Sequence, residues 1–92
     1  MTVEVHDQPE RHRYEASVDG EHAGAAYYLH ADDVLTFTHT EVDDAFEGQG
    51  VGSALVGGAL DDVRRRGLKV HPLCPFVRAY LTRHPEYADL VV

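Results

Sequence analysis

A six-residue glycine loop restricts this chain's fold more than any other feature. The segment GQGVGS, residues 48–53, stands between a strand-like stretch and the start of a helical pattern. The first turn of a helix carries free N–H groups and a partial positive charge, and glycine lets the backbone approach an anion closely. The position of this loop therefore predicts a phosphate site, most naturally for a pyrophosphate. The alternative is a plain turn.

The first half of the sequence predicts four strands. Residues 2–6, 11–18, 21–30 and 34–42 are alternating or rich in β-branched and aromatic residues, as strands are. Asp19-Gly20 is a two-residue hairpin signal, and residues 31–33 form a second turn. These strands are expected to form an antiparallel meander.

The second half predicts two helices around one more strand. Residues 50–66 carry an apolar stripe of period four, formed by Val51, Leu55, Ala59 and Val63, and Gly67 follows as a C-cap. Residues 68–73 predict a strand, and residues 75–83 a helix that ends before Pro85. The order β-β-β-β-α-β-α predicts a mixed α/β (α+β), mainly antiparallel sheet, with one parallel pair made by a right-handed crossover.

Composition restricts the classes of function. The chain has 92 residues, 43% of them hydrophobic, with a formal net charge of −8. This predicts a single domain over residues 1–92, and the charge disfavours nucleic acids and anionic membranes as partners. No apolar run approaches the roughly 20 residues of a membrane span, and no signal peptide is visible. We expect a cytoplasmic protein, a monomer or a weak homodimer. Its seven histidines show no metal-ligand spacing, so no metal site is expected.

Three classes of glycine loop compete for this segment. A P-loop needs a Lys followed by Ser or Thr, which this loop lacks. A dinucleotide fold needs its loop after the first strand of a βαβ unit, with an acid about 20 residues on, whereas four strands precede this loop. The third class is the acetyl-CoA loop, with Gln or Arg, two spacers, Gly, one spacer, then Gly or Ala. Residues 47–52, EGQGVG, follow that spacing.

The segment EGQGVGSALVGGAL resembles the central motif of the GNAT superfamily of acetyl-CoA-dependent N-acetyltransferases. The chain as a whole is similar to a short GNAT-like subfamily with THTEV before the loop and PLCPFVRAYLTRHPEY at the end. The resemblance implies a minimal GNAT core that binds acetyl-CoA. The cofactor-binding residues that it implies are Val42, Gly48, Gln49, Gly50, Val51, Gly52 and Ser53, with Arg78 and Arg83 as candidates for the 3′-phosphate or as solvated helix residues.

Two departures from the larger enzymes leave the function open. Glu47 stands where those enzymes carry Gln or Arg, and there is no room for the N-terminal helices that build their acceptor sites. The first hypothesis is an N-acetyltransferase acting on a small-molecule or peptide amine, for which the acidic balance favours a cationic acceptor. The second is a CoA-binding module with weak or no transferase activity, and the third an interaction protein that has lost the cofactor. Asp43, Asp44 and Glu47 are expected to point to solvent.

The strand before the loop supplies candidate general bases. Simple alternation predicts that Leu35, Phe37, His39 and Glu41 share one face. His39 or Glu41 could accept a proton from the amine, directly or through water. The alternative is a solvated strand end.

Cys74 and Tyr80 are the remaining catalytic candidates. Cys74 precedes the second helix, where a thiol can be nucleophilic and carry an acetyl group. It could instead line the pocket near the thioester or act as a small buried hydrophobe. Typical GNAT enzymes have an Asn at roughly this point. Tyr80 is the nearest match to the family's tyrosine that protonates the departing thiolate, with core packing as its alternative.

Overall fold

The computed structural model describes residues 2–92, which form a five-stranded sheet with two α-helices. The strands follow chain order across the sheet. The first three pairings are antiparallel, and the last is parallel. This confirms the predicted mixed, mainly antiparallel α+β fold. The strands are β1 (Val3–Gln8), β2 (Arg13–Val18), β3 (Glu21–Ala31), β4 (Val34–Val42) and β5 (Lys69–Pro72), and the helices are α1 (Val51–Arg65) and α2 (Pro75–Arg83).

The predicted bounds hold best where local signals are strong. β4 and α2 match their predicted ranges. Asp19 and Gly20 both have positive φ, at +50° and +88°, as the tight hairpin turn requires. Gly67, at φ +71°, follows the last turn of α1. After α2 the chain forms a 3-10 turn at Pro85–Leu90, and Val91 forms a bridge with Val70 of β5.

Both helices pack on the same face of the sheet, and the core lies between. Tyr14 and Phe37 are each 1% exposed and stack on that face of the sheet, with ring centroids 6.2 Å apart. Gly58 of α1 lets the helix approach β1 closely, because a Cβ there would lie 2.9 Å from Cβ of Val5. No helix within residues 2–92 combines the length and apolar character needed to cross a bilayer.

A polar cluster joins the C-terminal end of α1 to the sheet. Tyr14 donates to Asp62 and Tyr28 to Asp7, each at 2.6 Å. Arg66 donates to both carboxylates, at 2.9 Å to Asp7 and 3.2 Å to Asp62. Burial raises the pKa of both tyrosines, and their carboxylate partners raise it further. This cluster fixes the orientation of α1 and hence the position of its other end, where the glycine loop lies.

Candidate functional site

A cavity of about 410 Å³ opens at the N-terminal end of α1. The end of β4, the 3-10 turn Asp44–Phe46, the glycine loop and the first turns of both helices form its wall. Six of the nine residues predicted to bind the cofactor line this cavity, and the other three, Gln49, Arg78 and Arg83, do not. The lining residues are Val42, Phe46, Glu47, Gly48, Gly50, Val51, Gly52, Ser53 and Phe76.

The glycine loop presents free backbone donors to this cavity. Gly48 and Gly50 have φ of +76° and +80°, a region that side chains disfavour. The Ala54 N–H donates to the Gly50 carbonyl at 3.1 Å. The N–H groups of Val51, Gly52 and Ser53 therefore precede the first helical hydrogen bond. Among residues 2–92, no side chain caps this end of α1, and its first turn carries no acid. The arrangement suits an anion.

Gly52 has a different reason for being glycine. A Cβ at Gly52 would lie 2.7 Å from Cζ of Phe76, so the first turns of α1 and α2 touch through this pair. Phe76 remains 39% exposed and, with Phe46 and Val42, gives the cavity an apolar wall. Neither phenylalanine is among the cofactor-binding residues predicted from the sequence. Phe46 is the one aromatic side chain in the acidic stretch 41–47, and Phe76 lies off the buried stripe of α2; these were the available signals.

Glu47 is exposed together with Asp43 and Asp44, as predicted. However, Glu47 also lines the cavity. A carboxylate therefore lies at the edge of a site whose backbone groups favour anions, and it opposes the binding of an anion there.

The sequence predicts the wrong sheet face for the side chains of the last four residues of β4, because the strand has a bulge at Thr38. Tyr27 pairs with His39, but the next residue, Tyr28, pairs with Phe37, which leaves Thr38 as the extra residue. Since Tyr27 and Tyr28 point to opposite faces, Phe37 and His39 do as well. Phe37 is buried, whereas the side chains of His39 and Glu41 are 61% and 52% exposed. His39 and Glu41 therefore lie on the face opposite the helices.

The bulge also turns Thr40 toward Cys74. Thr40 Oγ1 lies 3.4 Å from Cys74 Sγ. Cys74 is the N-cap of α2 and is 3% exposed. Cys74 does not line the cavity. The structure therefore supports a buried side chain, and a role of Cys74 as a nucleophile stays a prediction.

β4 and β5 separate beside this pair. Their pairing ends at Phe37 and Pro72, after which Leu73 N–H and Cys74 N–H both donate to the Phe37 carbonyl. From Thr38 onward, β4 has no strand on its β5 side within residues 2–92. The unpaired backbone edge of β4 leads from Thr40 to Val42 and the cavity, and the side chains of His39 and Glu41 lie on the other face.

The family assignment rests on sequence as well as on this geometry. The family model described as GCN5-related N-acetyl-transferase matches residues 13–90. The chain belongs to this N-acetyltransferase family. The chain is 29% identical to Protein NATD1 of Gallus gallus and of Homo sapiens over 85 residues, covering 90% of this chain and 77% and 75% of theirs.

Solved structures share the fold of this N-acetyltransferase family member. A GCN5-like protein from Staphylococcus aureus superposes with a TM-score of 0.71 at 23% identity, over 97% of this chain and 87% of that one. The ribosomal-protein-S18-alanine N-acetyltransferase from Escherichia coli gives 0.62 at 27% identity. The match covers 71% of this chain but only 43% of the Escherichia coli enzyme.

Tyr80 does not line the cavity of this family member. It is 7% exposed, and its ring stacks on His84 with centroids 4.1 Å apart. Its hydroxyl would meet a Cβ at Gly57 at 2.6 Å. Burial raises the pKa of Tyr80. Core packing therefore accounts for its position, and proton donation by Tyr80 stays a prediction.

Arg78 and Arg83 are the two cationic side chains of α2. Both are exposed, and neither forms an ion pair with a side chain of residues 2–92. Arg83 follows Phe76 by seven residues, which places it on the cavity side of α2 about 10 Å along the axis. Arg78 falls on another side of the helix.

Proposed function

We propose that this protein is a small acetyl-CoA-dependent N-acetyltransferase that transfers acetyl to an amine. The observation that carries the proposal is the set of three free N–H groups at Val51, Gly52 and Ser53, directed to an apolar-walled cavity. Pyrophosphate bound at a helix N-terminus needs no basic side chain. The free donors, the apolar wall and the family membership together favour CoA over a simple phosphate ester.

Each part of the site suits one part of the molecule. The N–H groups of the first turn of α1 would hold the pyrophosphate, and Phe46 and Phe76 would pack against apolar parts of the ligand. The unpaired edge of β4 offers backbone groups to an extended chain with amides. Arg83 is the candidate for the 3′-phosphate.

Acetyl-CoA supplies an activated acetyl thioester. The acceptor ammonium first gives one proton to a base, for which Glu41 and His39 are the candidates. The neutral amine nitrogen then forms the C–N bond as the C–S bond breaks, and the second proton that the nitrogen loses is taken up by the thiolate. Cys74 either lies near the thioester during direct transfer or carries the acetyl group between two transfers, and we favour direct transfer.

A charge at residue 53 tests the pyrophosphate seat. Ser53→Asp places a carboxylate in the first turn of α1, which stabilises the free protein by about 0.3–1 kcal/mol through the helix dipole. The same charge repels a pyrophosphate, so we expect CoA affinity to fall at least about tenfold. Ser53→Asn is the matched neutral control. Thermal shift and calorimetric titration with CoA measure both effects. Equal CoA affinity in the two variants would show that the anion binds elsewhere.

A second experiment separates an enzyme from a binding module. CoA release from acetyl-CoA is followed with a panel of primary amines, with binding measured in parallel. Release that depends on the amine supports the enzyme, whereas tight binding without release supports the CoA-binding module. Intact mass after acetyl-CoA treatment tests Cys74, because an acetyl adduct that is lost in Cys74→Ala would establish the two-step route.

A further inference from the structure

The strand β1 forms one edge of the sheet, and its outer side has no partner strand. It pairs with β2 on one side, and no other strand of residues 2–92 pairs with it. Natural edge strands are commonly protected by a proline, a lysine or a bulge that hinders pairing with another chain. β1, with the sequence VEVHDQ, lacks all three. Its outer edge is therefore open to a further strand.

The backbone groups along this edge belong to alternate residues of β1. The Asp19 N–H donates to the Thr2 carbonyl at 3.1 Å, so Thr2 directs its backbone groups toward β2. Alternation along the strand gives the even-numbered residues of β1 this same direction and the odd-numbered residues the opposite one. The residues whose backbone groups face the open edge are Val3, Val5 and Asp7.

The side chains of β1 alternate between the two faces of the sheet. Val5 points to the helix side and lies against α1. Asp7 points there too, and its carboxylate is already bound within the polar cluster described above. Glu4 and His6 point to the face without helices, where their side chains are 62% and 65% exposed. An exposed acid and an exposed imidazole therefore flank Val5, one on each side.

We propose that β1 pairs with β1 of a second copy of this chain, antiparallel and centred on Val5. A two-fold axis at Val5 places it opposite itself and places Val3 opposite Asp7 of the second copy. Because these residues face the open edge, each such pair exchanges both of its N–H···O bonds, which gives about six in all. The same axis places Glu4 opposite His6 of the second copy, twice by symmetry. An imidazole N–H donates to a carboxylate whether the ring is neutral or protonated.

The neighbouring two-fold registers are less favourable. Centring the pair on Glu4 places two carboxylates directly opposite each other, which destabilises a sheet. Centring it on His6 places two imidazoles together and leaves Glu4 opposite the neutral Gln8. Each of these registers also leaves one of the three outward-facing residues without a partner within β1. The register centred on Val5 uses all three and brings acid and imidazole together.

The resulting dimer is weak and is independent of the cofactor site. Each copy carries a formal net charge of −8, which opposes association. About six hydrogen bonds are also fewer than the roughly ten of a standard interface. The cavity lies beside β4, three strands away from β1. Saturating CoA should therefore leave the dimer Kd unchanged, and the pairing stands or falls separately from acetyl transfer.

Hydrogen exchange followed by NMR tests the pairing, with sedimentation equilibrium measuring the dimer fraction of the same samples. Edge amides exchange only from the monomer, so raising the dimer fraction to about nine-tenths should slow Val3, Val5 and Asp7 about tenfold. The amides of Glu4 and His6, which are bonded to β2 in the monomer, are the internal control and should slow much less. A monomer at every concentration, or slow exchange at Val5 that does not depend on concentration, would overturn the proposal.

A charge exchange tests the register. His6→Glu places two pairs of carboxylates opposite each other in the dimer, so its Kd should rise at least about tenfold. Adding Glu4→Lys restores opposite charges at both places, and the double variant should return to within about threefold of the parent Kd. His22→Glu is the matched control, since it makes the same charge change on the same sheet face but on β3. Equal weakening by His6→Glu and His22→Glu, or no recovery in the double variant, would refute pairing centred on Val5.

Discussion

Replacing Gly57 by alanine tests how tightly Tyr80 is held against α1. A methyl group at Gly57 would lie 2.6 Å from the Tyr80 hydroxyl oxygen. It would lie 3.5 Å from Cζ, the ring carbon that bears this hydroxyl. The first distance is an overlap, and the second is ordinary contact. Tyr80 has little freedom to move, since it is 7% exposed and stacks on His84.

The two contributions have opposite signs. Gly→Ala within a helix stabilises by about 1 kcal/mol, whereas overpacking a core costs about 1–3 kcal/mol. We therefore expect Gly57→Ala to destabilise the parent by about 1 kcal/mol. In the Tyr80→Phe background the overlap is gone, so the same change should stabilise by about 1 kcal/mol. The coupling between the two sites is then about 2 kcal/mol.

Thermal unfolding of the four proteins measures this coupling. For a domain of this size, about 1 kcal/mol corresponds to about 4–8 °C in Tm. Gly57→Ala should thus lower Tm in the parent and raise it in Tyr80→Phe by similar amounts. An equal rise in both backgrounds would refute the reasoning, because it would show that the ring moves freely. If Tyr80 is a packing residue, Tyr80→Phe alone should leave CoA release unchanged, and a lower kcat at unchanged stability would instead indicate the proton donor.

Three further predictions follow from single contacts. Glu47→Gln should raise CoA affinity about tenfold at low salt, because a carboxylate about 6 Å from a dianion costs about 1.4 kcal/mol in water; titration at high salt should shrink the difference. Arg83→Gln should reduce the preference for CoA over dephospho-CoA in calorimetry, whereas Arg78→Gln should not. Burial raises the pKa of Asp62, but Tyr14 and Arg66 outweigh this and lower it. Its stabilisation is therefore present at neutral pH and lost as the pH falls below about 4, so Asp62→Asn should be less stable at pH 7 and show a smaller loss of Tm on acidification.

The amino-acid sequence was sufficient for the elements and for the position of the loop. Strand alternation, the helical stripe and the Asp19-Gly20 turn are local patterns, and each depends on residues within a few positions of one another. The glycine loop belongs to the same class, because positive φ at Gly48 and Gly50 is a local backbone requirement. These features were therefore open to prediction before any packing was known.

Pairing between distant segments decided the rest. The bulge at Thr38 depends on how β4 registers against β3, and one extra residue moved His39 and Glu41 to the other face of the sheet. Phe76 reached the cavity because Gly52, in a different helix, lets it approach. Alternation along one strand or one helix holds no information about such contacts, since the partner lies far away in the sequence. Tertiary structure alone therefore separated the cavity side chains from His39 and Glu41 and placed them on opposite faces of β4.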